Sequence, residues 1–420
     1  MKKISTLLSI ALFSLSLNAQ NYCGSSRYDT EVFSTVNVTS NITYGSNTSV
    51  NGNPTTLTMD IYEPAGDTAS IRPLIVFAHG GSFLGGSKTD ADQVSLCNHF
   101  AKRGYVCATI NYRVGMGFPI NEANAKKAVW RATQDMKAAI RFFRMDAATM
   151  NTYKIDPNMI FAGGTSAGAF MALHHAYLDQ PSEIPAEIDT TAMGGIEGNS
   201  GNPNYPSTVK AIVNLCGALG DADFIVPGDV PMVSLHGTND NTVPYGTAML
   251  YIGGSFQIMV VDGSRTIHER ANNIGITNKF YTWYGQDHVP YAGTSAAALA
   301  YMDTTVRFVS NFLYEQLSCT PTNSNPQPNP PAPSGINDHD SFGTVSISPN
   351  PAMSSVTIKW EDHVNTANIT FFDMTGRAVK TAIISANQQN VNIEDLAPGI
   401  YSVQLGNEKI KSAAKLVITR

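Results

Sequence analysis

Before residue 319 the apolar and polar positions of the chain keep two alternating rhythms. Short apolar runs at residues 56–62, 73–78, 105–112, 159–162, 209–215, 232–235 and 279–284 have the length and composition of strands. Between them lie stretches of helical spacing, at 92–103, at 123–145, from about Ala167 onward, and at 304–317. Within 123–145, Val129, Met136, Ala139, Ile140 and Phe143 recur on one helical face, which assigns that face to a core. Strands alternating with helices predict an α/β fold, with a doubly wound, mostly parallel sheet covered on both sides. The rhythm lapses over residues 179–207, a long stretch rich in Gly, Asn and Pro, which predicts a roof over part of a site.

The pattern breaks at residues 319–343, where proline, asparagine and serine crowd together with no apolar period, as in an extended linker. The polar patch at 337–340 is solvated chain rather than a preformed metal site. Residues 344–420 return to short runs, at 356–359, 369–372, 391–393, 401–405 and 415–418, separated by turn residues, and predict a small all-β sandwich. At the other end, Met1-Lys2-Lys3, an apolar run over 4–17 and a small residue at Ala19 read as a secretory signal peptide, residues 1–19. The catalytic α/β domain is then 20–318. No other run approaches the roughly 18 apolar residues of a membrane span.

Composition narrows the picture further. A chain of 420 residues needs more than one core. Only 14% of residues are charged and the net charge is −6 with no basic stripe, which argues against nucleic acid and anionic membranes as partners. The five cysteines, Cys23, Cys97, Cys107, Cys216 and Cys319, form no C-x-x-C pattern, and an odd count leaves at least one thiol unpaired. Cys23 and Cys319 stand at the two ends of the α/β domain and could pair, although spacing does not fix connectivity.

Candidate chemistry sits at the ends of the predicted strands. The run 160–168 is an apolar strand passing into Gly164-Thr165-Ser166-Ala167-Gly168, the G-x-S-x-G turn that lifts a nucleophilic serine above a sheet. Strand 73–78 passes into His79-Gly80-Gly81-Ser82, a loop suited to presenting backbone N–H groups to an oxyanion; Gly81, Ser82 and Ala167 are the candidate donors. A base and its orienting acid should follow in the order acid, then histidine. Asp240, after strand 232–235, and His288, after strand 279–284, satisfy that order. Asp287 adjoins His288 and should diverge from its ring, while Asp221, Asp223 and Asp262 lie in less defined loops. His236 precedes the acid, and His174 and His175 lie along the helix behind Ser166, so none is placed to reach the serine hydroxyl. His79 is read as scaffolding. The chemistry calls for no metal or cofactor.

In that order, His79-Gly80-Gly81, Gly164 to Gly168, His236-Gly237-Thr238-x-Asp240-x-x-Val243-Pro244 and Gly285-x-x-His288 resemble the α/β-hydrolase superfamily. Within it they resemble the secreted carboxylesterase, acetylxylan or feruloyl esterase and polyhydroxybutyrate-depolymerase-like groups. The resemblance spans residues 28–317 and departs in Ser82, where many such esterases carry a third glycine. It implies a serine carboxylesterase working through an acyl-serine intermediate. Alternatives are a polyester hydrolase, a feruloyl or acetylxylan esterase, an exopeptidase of related fold, or a secreted protein that only binds. Pro349-Asn350-Pro351, Asp373-x-x-Gly376-Arg377, Leu396-x-x-Gly399-Ile400-Tyr401 and a terminal strand at Lys415 resemble a type IX secretion C-terminal sorting domain. That resemblance implies recognition by secretion machinery, passage across an outer membrane and removal of the domain. A carbohydrate-binding sandwich ranks behind it, because Trp360 is the one obvious stacking platform.

Overall fold

The computed structural model describes residues 22–326, 346–359, 367–373, 377–384, 388–406 and 411–419. The signal segment 1–19, most of the linker, Trp360 and Gly376 lie outside the described residues. The chain divides into two compact units, residues 1–329 and 330–420.

The first unit opens with β1 (Val36–Thr48), β2 (Pro54–Pro64), β3 (Arg72–Ala78), α1 (Ala91–Lys102) and β4 (Val106–Ile110). It continues with α2 (Glu122–Ala148), β5 (Ile155–Thr165), α3 (Ala167–Tyr177), β6 (Ala211–Leu215), β7 (Ala218–Leu219) and β8 (Met232–Gly237). A hairpin of β9 (Thr247–Ile252) and β10 (Phe256–Gly263), then α4 (Ser264–Asn273), β11 (Asn278–Trp283) and α5 (Ala296–Gln316) complete it. Eight strands form one sheet in the order β1-β2-β4-β3-β5-β6-β8-β11. β1, β2 and β4 pair antiparallel, and every pairing from β4 to β11 is parallel.

Strands β3, β4, β6 and β8 are buried along their whole length because both of their faces are covered. Leu74, Val76, Ile160, Ala162 and Ile212 join the core beneath α2 and α3. Their neighbours Ile75, Phe77, Phe161, Val213 and Leu215 point the other way, into a core completed by Leu96 and Phe100 of α1 and by Val309, Phe312 and Leu313 of α5. This period of two is what a doubly covered strand requires. The periodic residues of α2, Met136, Ile140 and Phe143, are buried as the spacing predicts. α5 starts eight residues ahead of the predicted 304, where Ser295 caps it by accepting the N–H of Ala298 at 3.1 Å.

Cys23 and Cys319 form a disulfide, and Cys97, Cys107 and Cys216 are buried free thiols. Among the described residues no helix is long and apolar enough to cross a membrane.

The second unit contains two antiparallel sheets. One joins β12 (Ser346–Ser348), β13 (Ser355–Lys359) and β16 (Gln388–Asn392), and the other β14 (Ala367–Phe372), β15 (Ala378–Ile384), β17 (Gly399–Gly406) and β18 (Lys411–Ile418). Val356 and Ile358 of the first sheet share a core with Ile369, Phe371, Val403 and Leu416 of the second, which makes the unit a small sandwich.

Candidate active site

β5 delivers the chain into the turn at Ser166, and α3 begins at the next residue. Ser166 takes φ 54° and ψ −118°, a conformation disfavoured for any residue with a side chain. The turn closes because its flanks lack side chains: a Cβ on Gly164 or on Gly168 would collide with the carbonyl oxygen of Ala78, the last residue of β3. The glycines of the motif thus serve a close approach between the nucleophile turn and the strand that carries the His79-Gly80-Gly81 loop. Gly80 crosses the serine itself, where a Cβ would stand 3.3 Å from Ser166 Cβ.

The three residues chosen from separate loops meet. Ser166 Oγ lies 2.9 Å from His288 Nε2, and His288 Nδ1 lies 2.6 Å from Asp240 Oδ2. Parallel pairing of β8 with β11 brings the loops after them together at one edge of the sheet. The Asp240 side chain is fully buried and closely held: its Oδ1 accepts the N–H groups of Thr242 at 2.9 Å and Val243 at 2.8 Å. Burial opposes its ionisation, but hydrogen bonds from His236 and His288, the charge of His288 and the Val243 N–H outweigh it, holding the carboxyl well below the usual carboxylate range.

The ring of His236 does not meet the serine; it meets the acid. Its Nε2 lies 3.1 Å from Asp240 Oδ2 and 3.1 Å from the carbonyl oxygen of Val243, which places a proton on Nε2. Nδ1 lies 2.7 Å from the hydroxyl oxygen of Ser264. The sequence signal was a His-Gly pair at a strand end, four residues before the acid, inside a strand buried along its whole length.

The remaining candidates act elsewhere. Asp287 Oδ1 accepts the N–H groups of Asn241 at 3.0 Å and His288 at 2.7 Å, which ties the two loops together. Asp262 accepts the N–H of Ala222 at 2.8 Å, and Asp221 that of Asp223 at 2.9 Å. His174 donates from Nδ1 to the Phe170 carbonyl at 2.8 Å and accepts the Gly220 N–H at 3.2 Å, while His175 faces the Ser207 carbonyl at 2.9 Å. His79 is buried against Tyr112, with ring centroids 4.3 Å apart.

Ser82 and Ala167 line a cavity that opens beside Ser166 and encloses about 330 Å³. Gly81 stands at φ 105° and Ser82 at φ 54°. Ser82 therefore takes the left-handed backbone that a third glycine would adopt without strain. Among the described residues no acceptor takes the N–H of Gly81, Ser82 or Ala167. Donor atoms of Cys216, Asp240 and His288 lie within 4.8 Å of one another. The contact between Asp240 and His288 is a hydrogen bond, however, and burial pushes the Cys216 thiol up, so the set lacks the thiolate a metal would want.

Residues 179–207 form part of the cavity wall through Glu183, Pro185 and Ile196. Polar side chains of α2 fasten this stretch. Gln134 donates to the carbonyls of Met193 at 2.7 Å and Gly195 at 2.8 Å, and Arg141 to those of Glu197 at 2.7 Å and Gly201 at 2.8 Å. The roof is strapped down at its middle.

Sheet order, nucleophile turn and loop placement give the first unit the α/β-hydrolase fold. Residues 59–220 match the BD-FAE family, and residues 346–419 match the secretion system C-terminal sorting domain, the mark of a secreted or cell-surface protein. The chain is similar to carboxylesterase 3B of Mus musculus, at 34% identity over 116 residues, 27% of this chain and 19% of the relative. It is also similar to gut esterase 1 of Caenorhabditis elegans, at 25% identity over 162 residues, 38% of this chain and 28% of the relative. It thus spans less than a third of the length of these curated relatives. Among solved structures it is similar to Thermogutta terrifontis esterase 2 phosphorylated by paraoxon, at 26% identity and TM-score 0.47, covering 67% of this chain and 94% of that one. The propionate-bound form of the same esterase aligns at 25% identity and TM-score 0.46, covering 66% and 93%.

Proposed function

We propose that the protein is a secreted serine carboxylesterase with Ser166 as nucleophile, His288 as general base and Asp240 as the orienting acid. The observation that carries this reading is the unbroken chain of two hydrogen bonds, 2.9 Å from Ser166 Oγ to His288 Nε2 and 2.6 Å from His288 Nδ1 to Asp240 Oδ2. Asp240, held as the anion, accepts from Nδ1 and leaves the Nε2 lone pair free for the serine proton. As Ser166 Oγ attacks the ester carbonyl, its proton passes to His288, and the carbonyl oxygen becomes an oxyanion facing the N–H groups of Gly81, Ser82 and Ala167. Collapse of that intermediate expels the alcohol, which takes the proton from His288 and leaves an acyl-serine. Water then attacks the acyl-serine, giving its proton to His288, and collapse releases the acid as that proton returns to Ser166 Oγ.

Residues 1–19 would direct export, 20–318 would be the enzyme, 319–343 the linker, and 344–420 would be recognised by the secretion machinery and removed. A fluorophosphonate probe tests the chemistry. Native protein should be labelled and should hydrolyse p-nitrophenyl acetate, and Ser166→Ala should lose both. Hydrolysis by Ser166→Ala at the parent rate would remove the nucleophile assignment. Intact mass of protein recovered from native medium tests the processing, and retention of Arg420 throughout would count against removal of the sorting domain.

A further inference from the structure

The lining of the cavity beside Ser166 extends along α3. Along α3 its wall is built by Ala167, Phe170 and His174 and then by Leu178, the residue that ends the helix. These recur at spacings of three and four, so they form one stripe, and at 1.5 Å per residue the stripe runs ~17 Å from the nucleophile. At the far end Leu178 packs in an apolar cluster with Trp130 of α2 and Ile188 of the 179–207 stretch. Opposite the stripe, Ile252, Ile258 and Val261 of the β9–β10 hairpin supply an apolar wall.

The direction of the cavity identifies which half of an ester it would hold. A leaving alcohol must receive its proton from His288 Nε2 and so must lie against that ring. His288 does not line the cavity, whereas the candidate oxyanion donors Ser82 and Ala167 do. The cavity therefore leaves Ser166 on the acyl side. The imidazole side chain keeps 18% of its exposure, which leaves the alcohol side open toward solvent. We propose that the cavity is an acyl site for unbranched, medium-chain fatty acyl groups, running from Ser166 beside α3 to Trp130, with the alcohol portion left outside.

This inference rests on the serine-esterase reading, and the test separates the two. On the full chain, kcat/KM is measured for p-nitrophenyl acetate, butyrate, hexanoate, octanoate, decanoate and palmitate, alongside fluorophosphonate labelling. The acyl site predicts a rise of about fourfold per added methylene, as each is transferred from water into the apolar channel, up to a medium-chain optimum. Two variants move the optimum in opposite directions. Trp130→Ala removes the end wall and shifts it toward palmitate. Gly220→Leu, on the lining beside His174, fills the channel partway and shifts it toward acetate. The Gly220 site accepts a Cβ in ordinary contact, 3.5 Å from His174 Nε2 and 3.7 Å from Met259 Cε, so this variant adds volume without removing a core side chain as Trp130→Ala does, and a thermal melt of each variant checks that it is folded. An enzyme that is labelled and hydrolyses acetate, yet declines steadily with every longer chain, overturns the acyl site and leaves the esterase. A profile that Gly220→Leu leaves unmoved overturns it equally. With no labelling and no ester turned over, both readings fall.

Discussion

His236 Nε2 stands 3.1 Å from Asp240 Oδ2, the same oxygen that receives His288 Nδ1 at 2.6 Å. Two imidazoles from adjacent strand ends thus converge on one buried carboxylate oxygen, while the other oxygen takes two backbone N–H groups. The acid is held in place before any substrate arrives.

His236 is accordingly a positioning residue. Hydrogen bonds to charged groups contribute about 1.5–3 kcal/mol, so replacing His236 with Leu should lower kcat roughly tenfold or more with KM little changed. His236→Gln, which can present an amide N–H to Asp240, should recover part of the loss. Asp240→Asn, which upsets the tautomer of the base itself, should cost about 10⁴ in kcat. Steady-state kinetics on the three variants check the ranking. An effect of His236→Leu confined to KM would remove the positioning role.

His174 predicts where acid destabilises the protein. Burial pushes this histidine down from 6.5 to about 4, with the Phe170 carbonyl partly opposing. Between those values the unfolded chain binds a proton that the folded chain refuses. Stability is therefore full above about pH 6.5 and is lost progressively as pH falls toward 4, by up to ~3 kcal/mol from this residue. His174→Gln, which cannot take up a proton, should lessen the slope of melting temperature against pH in that window, while burial of His175 and His79, which also holds those histidines down, keeps the rest of it. Thermal melts across the range provide the check, and an unchanged slope in the variant would discard the assignment.

Much of this could be read from the chain. The central parallel strands announced themselves because burial on both faces leaves them rich in apolar residues, and the loops that carry Ser166, Asp240 and His288 because each follows a predicted strand. β1 gave no such signal: as an antiparallel edge it is built of Thr, Asn and Ser and is largely exposed. The β9–β10 hairpin and α4 were likewise missed, since Gly253-Gly254 lies in a run whose apolar residues face a cavity rather than a packed sheet. His236 was legible only as a residue unable to be the base. Its bond to Asp240 depends on how the loop folds back over the strand end, which no periodicity encodes.

Gly168 tests why the nucleophile turn needs its glycines. Its neighbours are backbone atoms of Ala78 and His79, which cannot swing aside as a side chain would. Gly168→Ala should therefore destabilise the unit by about 1–3 kcal/mol and misplace Ser166, although residue 168 donates nothing to the proposed chemistry. Slower fluorophosphonate labelling together with a lower melting temperature is the expected result. Wild-type labelling at wild-type stability would mean that the close approach to β3 is dispensable.

The disulfide between Cys23 and Cys319 closes a loop with a sequence separation of 296 and joins the segment before β1 to the segment after α5. A bridge across so long a loop removes much of the freedom of the unfolded chain, and native bridges of this kind contribute typically 2–4 kcal/mol. Neither cysteine lines the cavity. Cys23→Ser/Cys319→Ser should thus melt several degrees lower while keeping the parent kcat at temperatures well below its transition. Reductant should lower the melting temperature of the parent to the same value and leave the double variant unmoved, because Cys97, Cys107 and Cys216 are already free. Differential scanning calorimetry with and without reductant makes the comparison. A double variant that melts with the parent would show that the bridge leaves stability unchanged, and a loss of kcat far below the transition would tie it to the site instead.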